Sequence, residues 1–195
     1  MKRYFYKLMV DSGGAPSVYR DLLSLAICKP SIRASANVGD WIFGFGAKST
    51  IGEKLIYVAE VTEKLPNGSY YGEPKYSKRP DCIYQWRESR LVWKVGSKFH
   101  EGGQEKDIGG PPYDKAAVLL SRNFRYLGRE GSEDYKNAYP IIAKAVTALK
   151  QGHRVNHSPE LEMALRALQQ GLWQRYPSTK RIGLPNDSDL SRPCS

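Results

Sequence analysis

The sequence lacks the common catalytic signatures. It has no HExxH, no GxSxG and no GxGxxG ahead of a helix, which removes the usual zinc hydrolase, serine hydrolase and dinucleotide-binding layouts. Cysteine is scarce. Cys28, Cys82 and Cys194 are spaced too widely for a zinc knuckle or a redox pair and read as three reduced thiols. His100, His153 and His157 are the only histidines, and Gly152 and Pro159 frame the last two as loop rather than as helical metal ligands. No metal and no cofactor are expected. Long apolar runs are missing too. Leu55–Ala59 and Ala116–Leu120 fall far short of the roughly 20 residues that span a bilayer. Lys7 interrupts the start where a signal peptide needs an apolar stretch, so a cytoplasmic protein without membrane contact is expected. Acidic residues are outnumbered, 20 to 30, giving a net charge of +10. Such an excess favours polyanions, because each neutralised phosphate releases condensed counterions. Nucleic acid or a nucleotide is the expected partner, with a protein partner also compatible.

The 195 residues, 41% hydrophobic and 26% charged, suffice for one core without staples and exclude a disordered chain. Arg3–Val10 reads as a strand and ends at the loop Asp11–Pro16. Ser17–Cys28 fits a helix, or a helix running into a strand. Pro30 starts one or two helical turns. After the Asn37–Asp40 turn, where Asp40 bonds its own loop backbone, Trp41–Gly46 and Lys54–Val61 read as antiparallel neighbours. Pro66–Arg90 is an aromatic, basic connection, Leu91–Val95 a short strand and Gly96–Pro112 a loop. Ala116–Leu120 and Phe124–Leu127 are strands, and Pro140–Gln151 is a helix capped by Gly152. Ser158 caps a last helix, Pro159 takes its first position, and Gly171 stops it. The order indicates an α+β fold: a small mixed or antiparallel β-barrel with peripheral helices and a helical C-terminal part.

LAICKPSIR (25–33), NVGDWIFGFGA (37–47) and LIYVAEVTEKL (55–65) together resemble the second type of nucleotide modification associated domain, found in phages and bacteria near DNA base-modification genes. The resemblance continues through PDCIYQW (80–86), KFH (98–100), VLLSRNFRYLG (118–128) and QGHR (151–154). Gly39-Asp40 and VAEV (58–61) are similar, more distantly, to PUA-like barrels such as EVE, ASCH and YTH domains. That likeness implies a PUA-like barrel with a pocket for a nucleobase, often a modified one flipped out of its strand. The expected organisation is a domain over 1–155, a C-terminal helical extension over 156–181 packed on it, and a flexible tail over 182–195.

Lys29 and Arg33, four apart across a short helix, share a face that can grip phosphates or be merely solvated. Gly44 and Gly46 leave gaps on one face of a strand, either as a bend or as the wall of a base-sized slot. Trp41, Phe43 and Phe45 share the other face, and one of these faces must be core. Tyr84 or Trp86 is the aromatic expected to stack on a base. Asn123 can read a base edge or serve a turn. Asp81, Tyr84 and His100 form the candidate set if there is catalysis, with Asp81 or His100 moving a proton and Tyr84 donating or stacking; the alternative is a hydrogen-bonded structural set.

The leading expectation is a domain that recognises a modified nucleobase in DNA or a nucleotide. Its rival is an enzyme that modifies a nucleotide or a flipped DNA base. A third reading is a protein-interaction module in phage defence or counter-defence.

Overall fold

A computed structural model of the chain describes residues 1–150 and 152–187. Gln151, Cys194 and the rest of the tail beyond 187 lie outside the described residues, but the helix expected to reach Gln151 and to be capped by Gly152 stops at Ala148, where Leu149 turns extended as its C-cap.

The first half contains β1 (Arg3–Leu8), β2 (Ser17–Tyr19), β3 (Leu22–Leu25), α1 (Pro30–Ser35), β4 (Trp41–Gly46), β5 (Leu55–Glu60) and β6 (Glu63–Leu65). The second contains β7 (Tyr84–Arg87), β8 (Arg90–Trp93), α2 (Gln104–Ile108), β9 (Val118–Ser121), β10 (Asn123–Tyr126), α3 (Tyr135–Ala138), α4 (Pro140–Ala148), β11 (His153–Arg154) and α5 (Pro159–Arg175). The fold is mixed α+β, as expected. The strands form a five-stranded sheet ordered β10-β5-β4-β1-β11, a four-stranded sheet ordered β2-β3-β9-β6, and the hairpin β7-β8.

The expected closed barrel is absent among the described residues. Residues 55–65 and 118–126 instead pass from one sheet into the other, breaking at Val61-Thr62 and at Arg122. Thr62 secures that corner: its N–H donates to the Leu120 carbonyl at 2.8 Å, and its Oγ1 accepts from the Arg122 N–H at 3.0 Å. The two sheets therefore share bent strands without closing.

The predicted antiparallel pairing of β4 and β5 is present, and β1 runs parallel to β4 from Arg3↔Trp41 to Leu8↔Gly46. Both faces of β4 are buried, as a covered parallel pair requires. Trp41, Phe43 and Phe45 pack with Phe5 against the helical layer of Ile142, Leu161 and Leu165. Ile42 faces the second cluster with Tyr4, Tyr6 and Tyr57. Both faces of β4 are core, because helices cover one side and the second sheet covers the other.

Three local readings are corrected. Ser17–Cys28 is the hairpin β2-β3 and the segment after it, turned at Arg20-Asp21 with Arg20 at φ 53°; every residue from Leu22 to Cys28 is buried, which a one-faced helix could not achieve. The Gly96–Pro112 loop includes α2. Helix α5 is capped by Ser158 as expected but runs through Gly171 to Arg175, with Leu172 extending its buried face.

The gaps at Gly44 and Gly46 are filled by the protein. A Cβ on Gly44 would stand 2.2 Å from the Tyr57 ring, and one on Gly46 would stand 2.1 Å from the Gly52 carbonyl oxygen. Tyr57 crosses its strand partner Gly44 to reach the Tyr6 hydroxyl at 3.0 Å. These glycines admit a tyrosine ring and a loop backbone, and leave no base-sized slot there. Gly44→Ala should therefore cost about 1–3 kcal/mol by overpacking, read as a lower urea midpoint with an unchanged slope.

Candidate functional site

Asp107, which the sequence reading passed over, gathers a phenol, an imidazole and the backbone of a cysteine. It lies on the inner side of α2 and is 3% exposed. Its Oδ1 accepts the Cys28 N–H at 2.8 Å, and its Oδ2 accepts the Tyr84 hydroxyl at 3.0 Å and a short hydrogen bond from His100 Nδ1. With its proton on Nδ1, the His100 ring turns the Nε2 lone pair toward Cys28 Sγ, 3.2 Å away. Sulfur, imidazole and carboxylate thus stand in series. Ligand atoms of these three residues all lie within 4.8 Å of one another. Burial pushes the Tyr84 hydroxyl well above its ordinary range, and neighbouring Asp107 adds to it, so Tyr84 is a neutral donor here.

Backbone strain gathers at the same place. Cys28, Lys29 and His100 take φ values of 57°, 45° and 57°, in the left-handed region that costs a non-glycine residue on the order of 1–3 kcal/mol. The surrounding bonds hold them there. Arg33, fully buried, donates through Nε to the Cys28 carbonyl at 2.7 Å, and through Nη1 to the Lys115 and Ala117 carbonyls at 3.0 and 2.8 Å. Its Nη2 donates to the Asp107 carbonyl. The guanidinium therefore ties α1, α2 and the turn before β9 together.

This corrects the phosphate role expected for Arg33. It lies four residues from Lys29, but its head points inward, because four carbonyls from three segments converge where only a planar fork can satisfy them. Lys29 does lie at a cavity. With Lys7, Lys48 and Lys150 it lines a space of about 470 Å³ that Met9, Ala47, Ser49, Leu149 and Gly152 complete. Lys7 is paired with Glu53 at 3.3 Å, while no carboxylate pairs with Lys29, Lys48 or Lys150 among the described residues. Burial pulls the Lys29 pKa down, and its ammonium lies 5.2 Å from the centre of the Tyr6 ring.

The expected set of Asp81, Tyr84 and His100 does not meet as a whole. Tyr84 and His100 converge, but on Asp107. Asp81 is enclosed elsewhere by Tyr70 at 2.9 Å, Ser24 and Arg79, and Arg79 also donates to the Ser17, Tyr19 and Leu22 carbonyls. That ion pair fastens the β2-β3 hairpin. Burial raises the Asp81 pKa, against the opposing pull of Arg79, Ser24 and Tyr70. Asn123 spends its amide on Glu60 at 2.7 Å and Trp173 at 2.9 Å. Trp86 keeps 38% exposure, with its indole N–H on the Gly68 carbonyl. His157 bonds the Arg3 carbonyl and His153 packs on Tyr4, so neither joins the other in a ligand pair. Cys82 is a buried free thiol, whereas Cys28 is disulfide-bonded, contrary to the reading of three reduced thiols.

One signal could have found the missed sulfur: Cys28 sits inside the LAICKPSIR motif beside Lys29. Nothing in the loop around Asp107 marked it. No helix among the described residues is long and apolar enough to cross a membrane.

A family model described as nucleotide modification associated domain 2 matches residues 1–188. No curated protein and no solved structure matches the chain.

Arg33→Met strands the buried carbonyls of Cys28, Asp107 and Ala117, at about 1–3 kcal/mol for each unsatisfied group, and the part-buried carbonyl of Lys115. Urea denaturation should show a loss of several kcal/mol, only partly recovered by Arg33→Lys. A fold of unchanged stability would mean that the guanidinium is not the clamp.

Proposed function

The chain belongs to the nucleotide modification associated domain 2 family, and we propose that it binds a nucleotide unit, free or within a nucleic acid, with the phosphate in the lysine-lined cavity. Lys29 carries this reading. It is a cation drawn partly out of water, with its pKa lowered by that burial and with no carboxylate partner among the described residues. A phosphate entering the cavity supplies the missing counter-charge and restores the charged form of the lysine. Lys48 and Lys150 add to the same field. The volume, about 470 Å³, falls within the roughly 300–1,000 Å³ of small-molecule sites. The net charge of +10 adds long-range attraction for a polyanion.

On this reading the base is a modified one, presented flipped or unpaired, and telling it from the unmodified base is the domain's task in a phage or bacterial modification system. Of Tyr84 and Trp86, only Trp86 has an exposed face for stacking. The enzymatic reading gains from the meeting of Tyr84 and His100 with Asp107 beside a sulfur.

Fluorescence anisotropy with modified and unmodified oligonucleotides across a salt series tests the proposal. Lys29→Ala should weaken binding and reduce the salt slope by about one. An unchanged affinity and slope would remove the cavity from the phosphate role. Preference for one base state should persist at high salt.

A further inference from the structure

We propose that Cys28 is a nucleophile activated by His100 and oriented by Asp107, and that it acts on a conjugated ring carbon of a pyrimidine nucleotide. The substrate class rests on the nucleotide reading above; the relay itself does not. Three observations on the sulfur and its neighbours converge. Cys28 Sγ is 3.2 Å from His100 Nε2, and the opposite ring nitrogen is hydrogen-bonded to a buried carboxylate, the order in which a base and its orienting group stand behind a nucleophile. Each imidazole nitrogen already faces a different partner, a layout suited to proton transfer along a line rather than to ligation of a common centre. Cys28 and His100 are also held in the left-handed region, where functional strain concentrates. The next residue, Lys29, lines the lysine cavity, so the cavity wall and the sulfur belong to adjacent residues of one segment.

Because Cys28 is disulfide-bonded, the sequence of steps begins with a dithiol reductant: the protein S–S bond opens to two thiols, which take up two electrons and two protons, as the two thiols of the reductant close to a disulfide. The Cys28 S–H then donates to Nε2, and proton transfer yields a thiolate and an imidazolium whose Nδ1–H stays on Asp107. A thiolate is a soft nucleophile, and among the parts of a nucleotide the conjugated ring carbon of a pyrimidine is the matching soft electrophile. The sulfur–carbon bond forms as the ring π pair shifts to the neighbouring carbon, which takes the proton from His100. No atom is lost, and the reverse steps restore the base and the thiol. Asp107 is a positioning residue in this scheme. The disulfide makes the reaction dependent on reduction.

The test is limited alkylation of the reduced protein with iodoacetamide over a pH series, read by peptide mass spectrometry, with Cys82, buried to a similar degree as Cys28, as the internal reference. Cys28 should react at least tenfold faster than Cys82 at neutral pH, and should stay reactive below the ordinary thiol range near about 8.5. His100→Asn should remove at least tenfold of that rate and return the pH profile to that of an ordinary thiol, leaving Cys82 unchanged. Asp107→Asn should shift the same profile in the same direction. If these variants fail to fold, the wild-type profile alone decides. A Cys28 no faster than Cys82, or a rate indifferent to His100 in a folded variant, overturns the relay. Stoichiometric Zn²⁺ binding by the reduced protein that disappears in Cys28→Ser overturns it in favour of a metal site. The substrate is tested with pyrimidine mononucleotides: intact mass should rise by one nucleotide in wild type and Cys82→Ser but not in Cys28→Ser. Alkylation as expected with no such adduct, in protein that binds the nucleotide by anisotropy, overturns the substrate class. Loss of nucleotide binding itself overturns the phosphate cavity instead.

Discussion

One guanidinium sets the geometry on which the candidate site depends. Arg33 donates to the carbonyls of Cys28, Asp107, Lys115 and Ala117, so the backbones that carry the sulfur and the carboxylate hang from the same planar group. Its spacing from Lys29 on a six-residue helix made it look like half of a surface phosphate grip. Burying an arginine is costly unless its donors are satisfied, and here the fork meets four acceptors. The strained backbone at Cys28 and Lys29 is stable because this clamp and the Asp107 carboxylate over-determine it.

Another of the buried arginines, Arg79, has a different consequence. Arg79 and Asp81 pair at 3.4 Å, surrounded by Ser24 and Tyr70, and serve to pin a hairpin. Asp107 instead spreads its bonds over Tyr84, His100 and Cys28. Two enclosed carboxylates therefore have opposite prospects. Asp81 is surrounded by fixed donors, whereas Asp107 bonds an imidazole whose other nitrogen faces a sulfur.

The double burial of β1 and β4 has its own effect on function. With the faces of both strands packed against other layers, open space lies at the strand ends, where Lys7, Met9 and Ala47-Lys48 meet Lys29, Leu149, Lys150 and Gly152. Lys29, Lys48 and Lys150, none with a carboxylate partner among the described residues, therefore meet at one cavity. A ligand held there would touch the segment that leads directly into Cys28.

The sequence by itself determined the class of fold and much of its framework. The strands β1, β4 and β5, the Pro30 and Pro159 helix starts, the Ser158 cap and the Asn37–Asp40 turn all rest on local chemistry, which side-chain period, proline and capping groups express within a few residues. The motif 25–65 carried the family, and the charge balance pointed to phosphate. Tertiary structure alone decided that two bent strands join open sheets instead of closing a barrel, that Tyr57 fills the space above Gly44, and that Arg33 turns inward. It also brought Asp107, 79 residues from Cys28 along the chain, under the His100 ring. Convergence of that kind leaves no period or spacing in a sequence, because it is set by which backbone carbonyls and which cavities meet only after the layers have packed.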